Sequence, residues 1–582
     1  MKFKQLLFLL NALLIFPVYG CSKDANDVIN TDNNYVRQKA DPIDGLRIAW
    51  DRSSRQKIST NSGYSGYPRV KRLKDNSICA VYESPGGGVF QRSTDGGKKW
   101  SSPIKMFSEH TVTNNLGTTT VHISNTEFLE LDDHSIVAAC NYRPAIEDIT
   151  PFAIAICKSK DMGITWTTPQ IIYEAAPRFT DGCWEPAFLQ LPNGDLQCYF
   201  ANENPYQNSA EQEISVLTSK NRGDTWSSTK KMVCFRQDHR DGMPVPLLSD
   251  DSILVAIEDN ADGDFRPAIV RCSITDNWAT PVYQNSRFRN FCLAEPLTST
   301  RHGGAPYIIK VPSGEILLSY QTQYGRTTDW ELSDMEVAIG DPTGRNFKRI
   351  SRPFNIDVKY QCKWNSLGMW DDHSIVASGA CNLDGLDIAS WMICGHLIND
   401  LDVPKTTVQF DGTVSKEEYG GFFPYFSGNK TISNLNAALS LVDGVLYVGV
   451  KVNDSNKYVD SSNDEKSDGV NFYIDSENFC LNSPDKGIFK IWCSRNGKVK
   501  VYEGEKGKWV EISIAIQAKT SDSGTSYDLE YKIPISLIQA QKSDVMRVNF
   551  EWRNYSSATA GYNETLIESK VTSSNTFCKI KL

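Results

Sequence analysis

The chain has no internal run of about 18 apolar residues, the length a membrane-crossing helix needs, so it offers no transmembrane span. It has no CxxC pair and no Cys/His cluster at zinc-ligand spacing, so its fifteen cysteines carry no metal signature. It also lacks an excess of basic residues. Sixty-one Lys and Arg stand against 70 Asp and Glu, and the net charge of −9 argues against a nucleic-acid partner. Nor does 582 residues suit one ordinary core, so two or more units are expected.

What the chain does have begins at its N-terminus. Lys2 and Lys4 precede an apolar run from Leu6 to Val18, too short to span a membrane and laid out like a signal peptide. The run ends Val18-Tyr19-Gly20-Cys21, which resembles a bacterial lipobox. On that reading residues 1–20 are removed and Cys21 is acylated. A lipid anchor then holds the protein at the outer membrane, on the cell surface or the periplasmic face. The alternative is an ordinary signal peptide that happens to contain a cysteine. Residues 21–41 are polar and acidic and read as a flexible tether. Fourteen further cysteines permit disulfides without fixing a pairing. Cys79, Cys140 and Cys198 fall in predicted buried strands and also suit small core positions.

Six segments repeat one pattern, a turn of Asp, Asn, Ser or Gly followed by an aliphatic anchor. The anchors are Ile78, Ile136, Leu196, Ile253, Ile316 and Ile375, spaced 58, 60, 57, 63 and 59 residues apart. A fixed period in an all-strand sequence indicates a propeller or solenoid, and repeats of this size predict six blades of four strands. In blade 1 the strands are expected at Tyr67–Leu73, Ile78–Glu83, Val89–Arg92 and Ile104–Phe107. Ser93-Thr94-Asp95-Gly96-Gly97-Lys98-Lys99-Trp100 then resembles an Asp-box, and it returns at Ser159–Trp166 and Ser219–Trp226. Asp or Asn accepts backbone N–H bonds there, Gly takes a positive φ, and Trp plugs the gap between sheets. Blade 6 has three strands of its own, so Leu46–Trp50 is expected to supply the fourth and close the ring over about 42–402.

If the Asp-boxes mark the bottom, inner strands start at the top and second strands end there. Glu185 then starts the inner strand of blade 3, and Glu258 ends the second strand of blade 4. Two carboxylates on one face near the axis are the equipment of glycoside hydrolysis. The bland alternative is that each is a solvated loop residue. Their apolar settings, Cys183-Trp184-Glu185-Pro186-Ala187-Phe188 and Leu254-Val255-Ala256-Ile257-Glu258, favour function.

Trp184-Glu185-Pro186, Asp241-Gly242-Met243-Pro244, Ala256-Ile257-Glu258 and Gly303-Gly304-Ala305-Pro306-Tyr307 resemble glycoside hydrolase family 93. The resemblance covers the propeller. It implies a retaining exo-α-1,5-L-arabinanase that releases arabinobiose, with Glu185 as general acid/base, Glu258 as nucleophile and no cofactor. Trp184, Tyr324 and Trp364 are candidates for sugar stacking or for core. Arg69, Asn141, Arg143, Asn202, Arg240, Asp241, His302 and Gln321 are candidates for hydroxyl recognition. An exo-α-sialidase is the alternative enzyme, because Arg69 sits where a first carboxylate-binding arginine could sit. A non-catalytic glycan-binding lipoprotein is the alternative without chemistry.

Beyond Val403 alternating strands separated by turns such as Asp443-Gly444 and Asn496-Gly497 predict an antiparallel β-sandwich over 404–582. Phe410-Asp411-Gly412, Leu446–Asp454, Asp468–Asp475 and Tyr527–Pro534 resemble carbohydrate-binding module family 9. The domain either binds sugar or only braces the propeller. Trp492, Trp509 and Trp552 are read as core, and Asp454, Asp464 and Asp468 as either a calcium loop or a solvated one.

Overall fold

The computed structural model describes residues 37–582, apart from 262, 384, 422–425, 428–433, 461–463, 558 and 566–570. The signal segment, Cys21 and most of the tether therefore lie outside the described residues. Among the described residues the regular elements are strands and short 3-10 helices. Six separate antiparallel sheets of four or five strands come first, and sheets of eight and five strands follow.

Each of the six sheets is a blade of a propeller. The first contains Gly66–Arg72, Ile78–Ser84, Gly87–Ser93 and Ile104–Ser108, in that order from the inner edge. The second carries an extra strand, His110–Asn114, on its long inner strand Gly117–Glu130. The sixth combines Cys362–Asp371, Ser374–Cys381 and Ala389–Ile398 with the N-terminal Arg47–Lys57, which pairs antiparallel along Ala389–Ile398. Closing the ring with the start of the chain leaves neither end of the propeller as an open edge.

The repeating turns show why the period holds. In Asp75-Asn76-Ser77 the Asp75 carboxylate accepts from the Ser77 N–H at 2.9 Å while Asn76 takes φ 69°. Asp133, His134 and Ser135 repeat this, with φ 67° at His134. The three Asp-box turns are alike as well. The hydroxyls of Ser93, Ser159 and Ser219 accept from the N–H of Gly97, Gly163 and Gly223 at 2.8–2.9 Å. Trp166 and Trp226 donate back to the carbonyls of Gly163 and Gly223. Gly163 cannot be replaced cheaply, since its φ is 86° and a Cβ there would lie 2.1 Å from the Phe90 ring.

One six-fold feature was not legible in the sequence. Every inner strand breaks register near its start, leaving two residues unpaired. The first of the two always has a positive φ: Tyr67, Asn125, Glu185, Met243, Ala305 and Trp364, at 48–54°. The second is Pro68, Thr126, Pro186, Pro244, Pro306 or Asn365. Proline suits a bulge because it has no N–H to leave unpaired in a buried place. Tyr67, Met243, Ala305 and Trp364, from four different blades, pack together as one apolar cluster. The six bulges thus converge around the axis.

The two remaining sheets form the sandwich. One holds eight strands, including Gly469–Asp475, Ile488–Ser494 and Val545–Ser557, and the other five. Trp552 is in the apolar core between them and Trp492 is also buried, while Trp509 is half-buried against Tyr473. The sandwich is welded to blade 6. Ala49, Ile398 and Val403 belong to its core cluster, and Leu401–Asp402 pairs parallel with Cys578–Lys581. Asp44, just before the closing strand, pairs with Arg547 and with Lys579.

Among the cysteines described, Cys362 and Cys381 form a disulfide between directly paired strands of blade 6, and the other twelve are buried free thiols. The acidic loop of the sandwich is filled by a side chain. Arg495, fully buried, lies 3.6 Å from Asp454, 3.7 Å from Asp468 and 3.0 Å from Asp522. Its guanidinium supplies the positive charge that the calcium reading assigned to an ion. The side chain of Asp464 lies outside the described residues.

Candidate active site

The bulges matter because each buries a backbone N–H that needs an acceptor. In most blades a side chain from the preceding blade's second strand supplies it. Glu83 accepts from the Asn125 N–H at 2.6 Å, Asn141 from Glu185 at 2.8 Å, Glu258 from Ala305 at 2.9 Å and Gln321 from Trp364 at 2.8 Å. These acceptors occupy one repeat position, opposite Gly66, Ser124, Gly242 and Gly304. In blade 3 that position, opposite Trp184, is Ala201, which has no acceptor. The Met243 N–H is taken instead by the carboxylate of Glu185, at 3.2 Å.

This break in the relay brings two carboxylates together. Glu185 reaches from the bulge of blade 3 to blade 4, and Glu258 reaches from blade 4 to blade 5. Both are half-buried. Burial pushes the Glu185 carboxyl up to about 8, and the charge of Glu258 adds to that rise. Burial raises Glu258 to about 7, against the pull of the Ala305 N–H and the Arg240 charge. Near neutral pH Glu185 is therefore the better proton holder of the two.

Glycine makes room for the second carboxylate. A Cβ on Gly242 would lie 3.0 Å from Oε1 of Glu258, and one on Gly304 would lie 2.8 Å from its Oε2. The same point at Gly304 is 2.5 Å from Nε2 of His302, so the imidazole and this carboxylate share a wall. Gln321 spends its carbonyl oxygen on the Trp364 N–H and turns its amide nitrogen toward His302, 3.4 Å away. Burial lowers the His302 pKa and favours the neutral ring.

Aromatic and charged groups stand around the pair. Trp184 packs on Phe152 and Phe179, and Arg143 lies over Phe179 and Trp184 at 4.8 and 5.6 Å. Across the mouth, Lys363 pairs with Glu331 and lies over Trp330 and Trp364. Trp330, 42% exposed, also meets His302. Arg240 pairs with Glu203, whose other oxygen accepts from the indole of Trp184 at 2.7 Å.

Of the residues singled out in the sequence, Glu185, Glu258, Asn141, Arg143, Trp184, Arg240, His302, Gln321 and Trp364 gather here. Asn141 and Gln321 act mainly on backbone, because their side-chain oxygens hold bulges. Three others are turned to different work. Arg69 is 3% exposed, bonded to Glu127 and to the carbonyls of Pro68, Trp364 and Asn365. It stitches blade 1 to blades 2 and 6, and the blade 1 counterpart of Glu185 is Tyr67, two residues earlier. Asn202 is buried against Tyr173 and Ser215. Asp241 is sealed in a network with Arg289, which also binds Asp259, itself held by Arg236. Tyr324 is half-exposed beneath Arg301.

Sequence reasoning passed over Glu203, Tyr67, Phe179, Trp330 and Lys363. Glu203 was one residue from the Asn202 that was chosen, because the strand end was located only to within a residue. Phe179 and Trp330 lie in 3-10 turns outside the repeat and carry no periodic signal.

The fold is thus a six-bladed β-propeller with Asp-box turns, followed by a β-sandwich. Residues 68–260 match a family described as a BNR repeat-like domain, and residues 429–579 match one described as carbohydrate family 9 binding domain-like. No curated protein matches the chain. Solved structures of similar fold include a protein of unknown function from Dyadobacter fermentans, at 16% identity and TM-score 0.46, covering 61% of this chain and 100% of that one. Another is the glycoside hydrolase family 93 α-L-arabinofuranosidase of Fusarium graminearum with arabinobiose, at 16% identity and TM-score 0.44, covering 58% and 97%. A third is the α-L-arabinanase of Penicillium chrysogenum with arabinobiose, at 18% identity and TM-score 0.43, covering 61% and 98%.

Proposed function

We propose that this chain is a retaining glycoside hydrolase that works from the end of a linear α-1,5-linked arabinan and releases arabinobiose. The observation that carries the reading is the break in the bulge relay, which leaves Glu185 and Glu258 as neighbours whose proton affinities differ in the useful order. Glu258, ionised first, attacks the anomeric carbon. Glu185 keeps its proton and gives it to the departing oxygen, then withdraws one from water to free the glycosyl group. Each carboxylate is anchored by a backbone N–H of the following blade, so both are oriented before substrate arrives.

Against the sialidase alternative, Arg69 is bonded to Glu127 and to three carbonyls, which favours the arabinanase reading. In the same reading the sandwich binds glycan, and the N-terminal Cys21 carries lipid at the outer membrane. Palmitate labelling of wild type and Cys21→Ser tests the anchor.

The test of the activity is incubation with linear arabinan, branched arabinan and sialyllactose, with products resolved by chromatography. Arabinobiose from the linear polymer, lost in Glu185→Gln and Glu258→Gln, is the expected result. Methanol added to the reaction should give a methyl glycoside of unchanged anomeric configuration. Free sialic acid, or full activity in both variants, would overturn the reading.

A further inference from the structure

The ion pair of Glu203 and Arg240 has no part in closing the ring, yet it joins the two blades that carry the dyad. Glu203 follows the second strand of blade 3, and Arg240 directly precedes the inner strand of blade 4. The Glu203 side chain is 3% exposed. One oxygen meets Arg240 at 2.5 Å, and the other accepts from Trp184 Nε1 at 2.7 Å. Trp184 is the residue before Glu185.

The Arg240 end is fixed as firmly. Its N–H donates to Asn260 Oδ1 at 2.7 Å, two residues beyond Glu258. Two and three residues after Arg240 come Gly242, which pairs with Glu258, and Met243, whose N–H holds Glu185. The guanidinium is still partly open to solvent, with 37% of its side chain exposed.

We propose that Glu203 and Arg240 are a positioning pair for the dyad: Glu203 fixes Arg240 beside both catalytic carboxylates, and the two opposed charges set the pH window in which the site works. The inference rests on the reading of Glu185 and Glu258 as acid/base and nucleophile.

The charges around each carboxyl give the signs. Glu185 faces Glu258, Arg240, Glu203 and the Tyr67 hydroxyl. Glu258 faces Glu185 and Arg240, with His302 across Gly304. Arg240 lowers the proton affinity of both carboxyls, while Glu203 raises that of Glu185. Loss of Arg240 therefore moves both limbs of the kcat/KM profile to higher pH. Glu203→Gln removes the charge while an amide oxygen and Asn260 still hold Arg240, so the alkaline limb, which reports Glu185, moves to lower pH. Merely loosening the loop would not give opposite signs.

The experiment is a pH profile of kcat/KM on linear arabinan for wild type, Arg240→Met, Arg240→Lys and Glu203→Gln. Melting temperature is measured over the same pH range. The expected displacement is on the order of one pH unit, upward for Arg240→Met and downward for Glu203→Gln. Arg240→Lys should restore the limbs. The melting curves carry the same signs without needing turnover. Stability should fall more steeply above pH 7 in Arg240→Met and less steeply in Glu203→Gln. Limbs and melting slopes that do not move, or move together in both variants, overturn the proposal while an active wild type leaves the hydrolase reading standing. A wild type that turns over no arabinan, with the melting signs as expected, overturns the substrate reading and leaves the pair intact.

Discussion

The dyad should make the protein less stable at the pH where it works. Glu258 and Glu185 hold their protons to about 7 and about 8 in the folded chain, against an ordinary 4.5. Below pH 4.5 both are protonated whether the chain is folded or not, and neither costs anything. As pH rises, the unfolded chain ionises first, so stability drains away through 7 and 8. At 1.36 kcal/mol per pH unit, ionised Glu258 costs the fold on the order of 3 kcal/mol. Glu185 costs on the order of 4–5 kcal/mol, part of it owed to the Glu258 charge, so the two do not add. Glu258→Gln removes the charge while keeping the shape and an oxygen for the Ala305 N–H. Melting followed by circular dichroism from pH 4 to pH 9, at one ionic strength, checks this. The variant should match wild type at pH 4 and melt roughly 3–6 °C higher at pH 9, while losing hydrolysis. A difference that does not change with pH, or a variant less stable at pH 9, would refute the reasoning.

Other expectations follow from single contacts. Gly304→Ala puts a methyl group 2.8 Å from Glu258 Oε2 and 2.5 Å from His302, so both must shift; kcat should drop about 100-fold with little change in melting temperature. Asp241→Ala strips one carboxylate from the sealed network with Arg289 and should cost about 3–5 kcal/mol in urea unfolding. Asn141→Ala leaves the Glu185 N–H without its acceptor; a loss of about 1–3 kcal/mol and a fall in kcat are expected, measurable by urea titration and steady-state kinetics. Arg495→Met should destabilise the sandwich by about 3–5 kcal/mol by stranding Asp454, Asp468 and Asp522, whereas EDTA should leave the wild-type melting temperature unchanged.

Sequence alone determined the architecture, because the architecture is periodic. Anchors from Ile78 to Ile375 and three Asp-boxes record local events, a turn with positive φ and a hydroxyl that caps it, and these need only neighbours in the chain. Six units of four strands follow from that count, as does the need for a strand at Leu46–Trp50 to complete the sixth sheet, observed at Arg47–Lys57. The same period located Glu185 and Glu258 on one face. What each polar side chain does there was decided only by the tertiary structure. Arg69, Asn202 and Asp241 look like ligand-binding residues in sequence, yet each meets a partner from another strand or blade and is buried with it. The bulges are the clearest case. A positive φ at Glu185 has no local signature, and its N–H is satisfied by Asn141 from 44 residues earlier. That Ala201 leaves Met243 to be held by Glu185 is a fact about three strands at once. Spacing records contacts along the chain; the acceptor for a buried N–H is chosen across it.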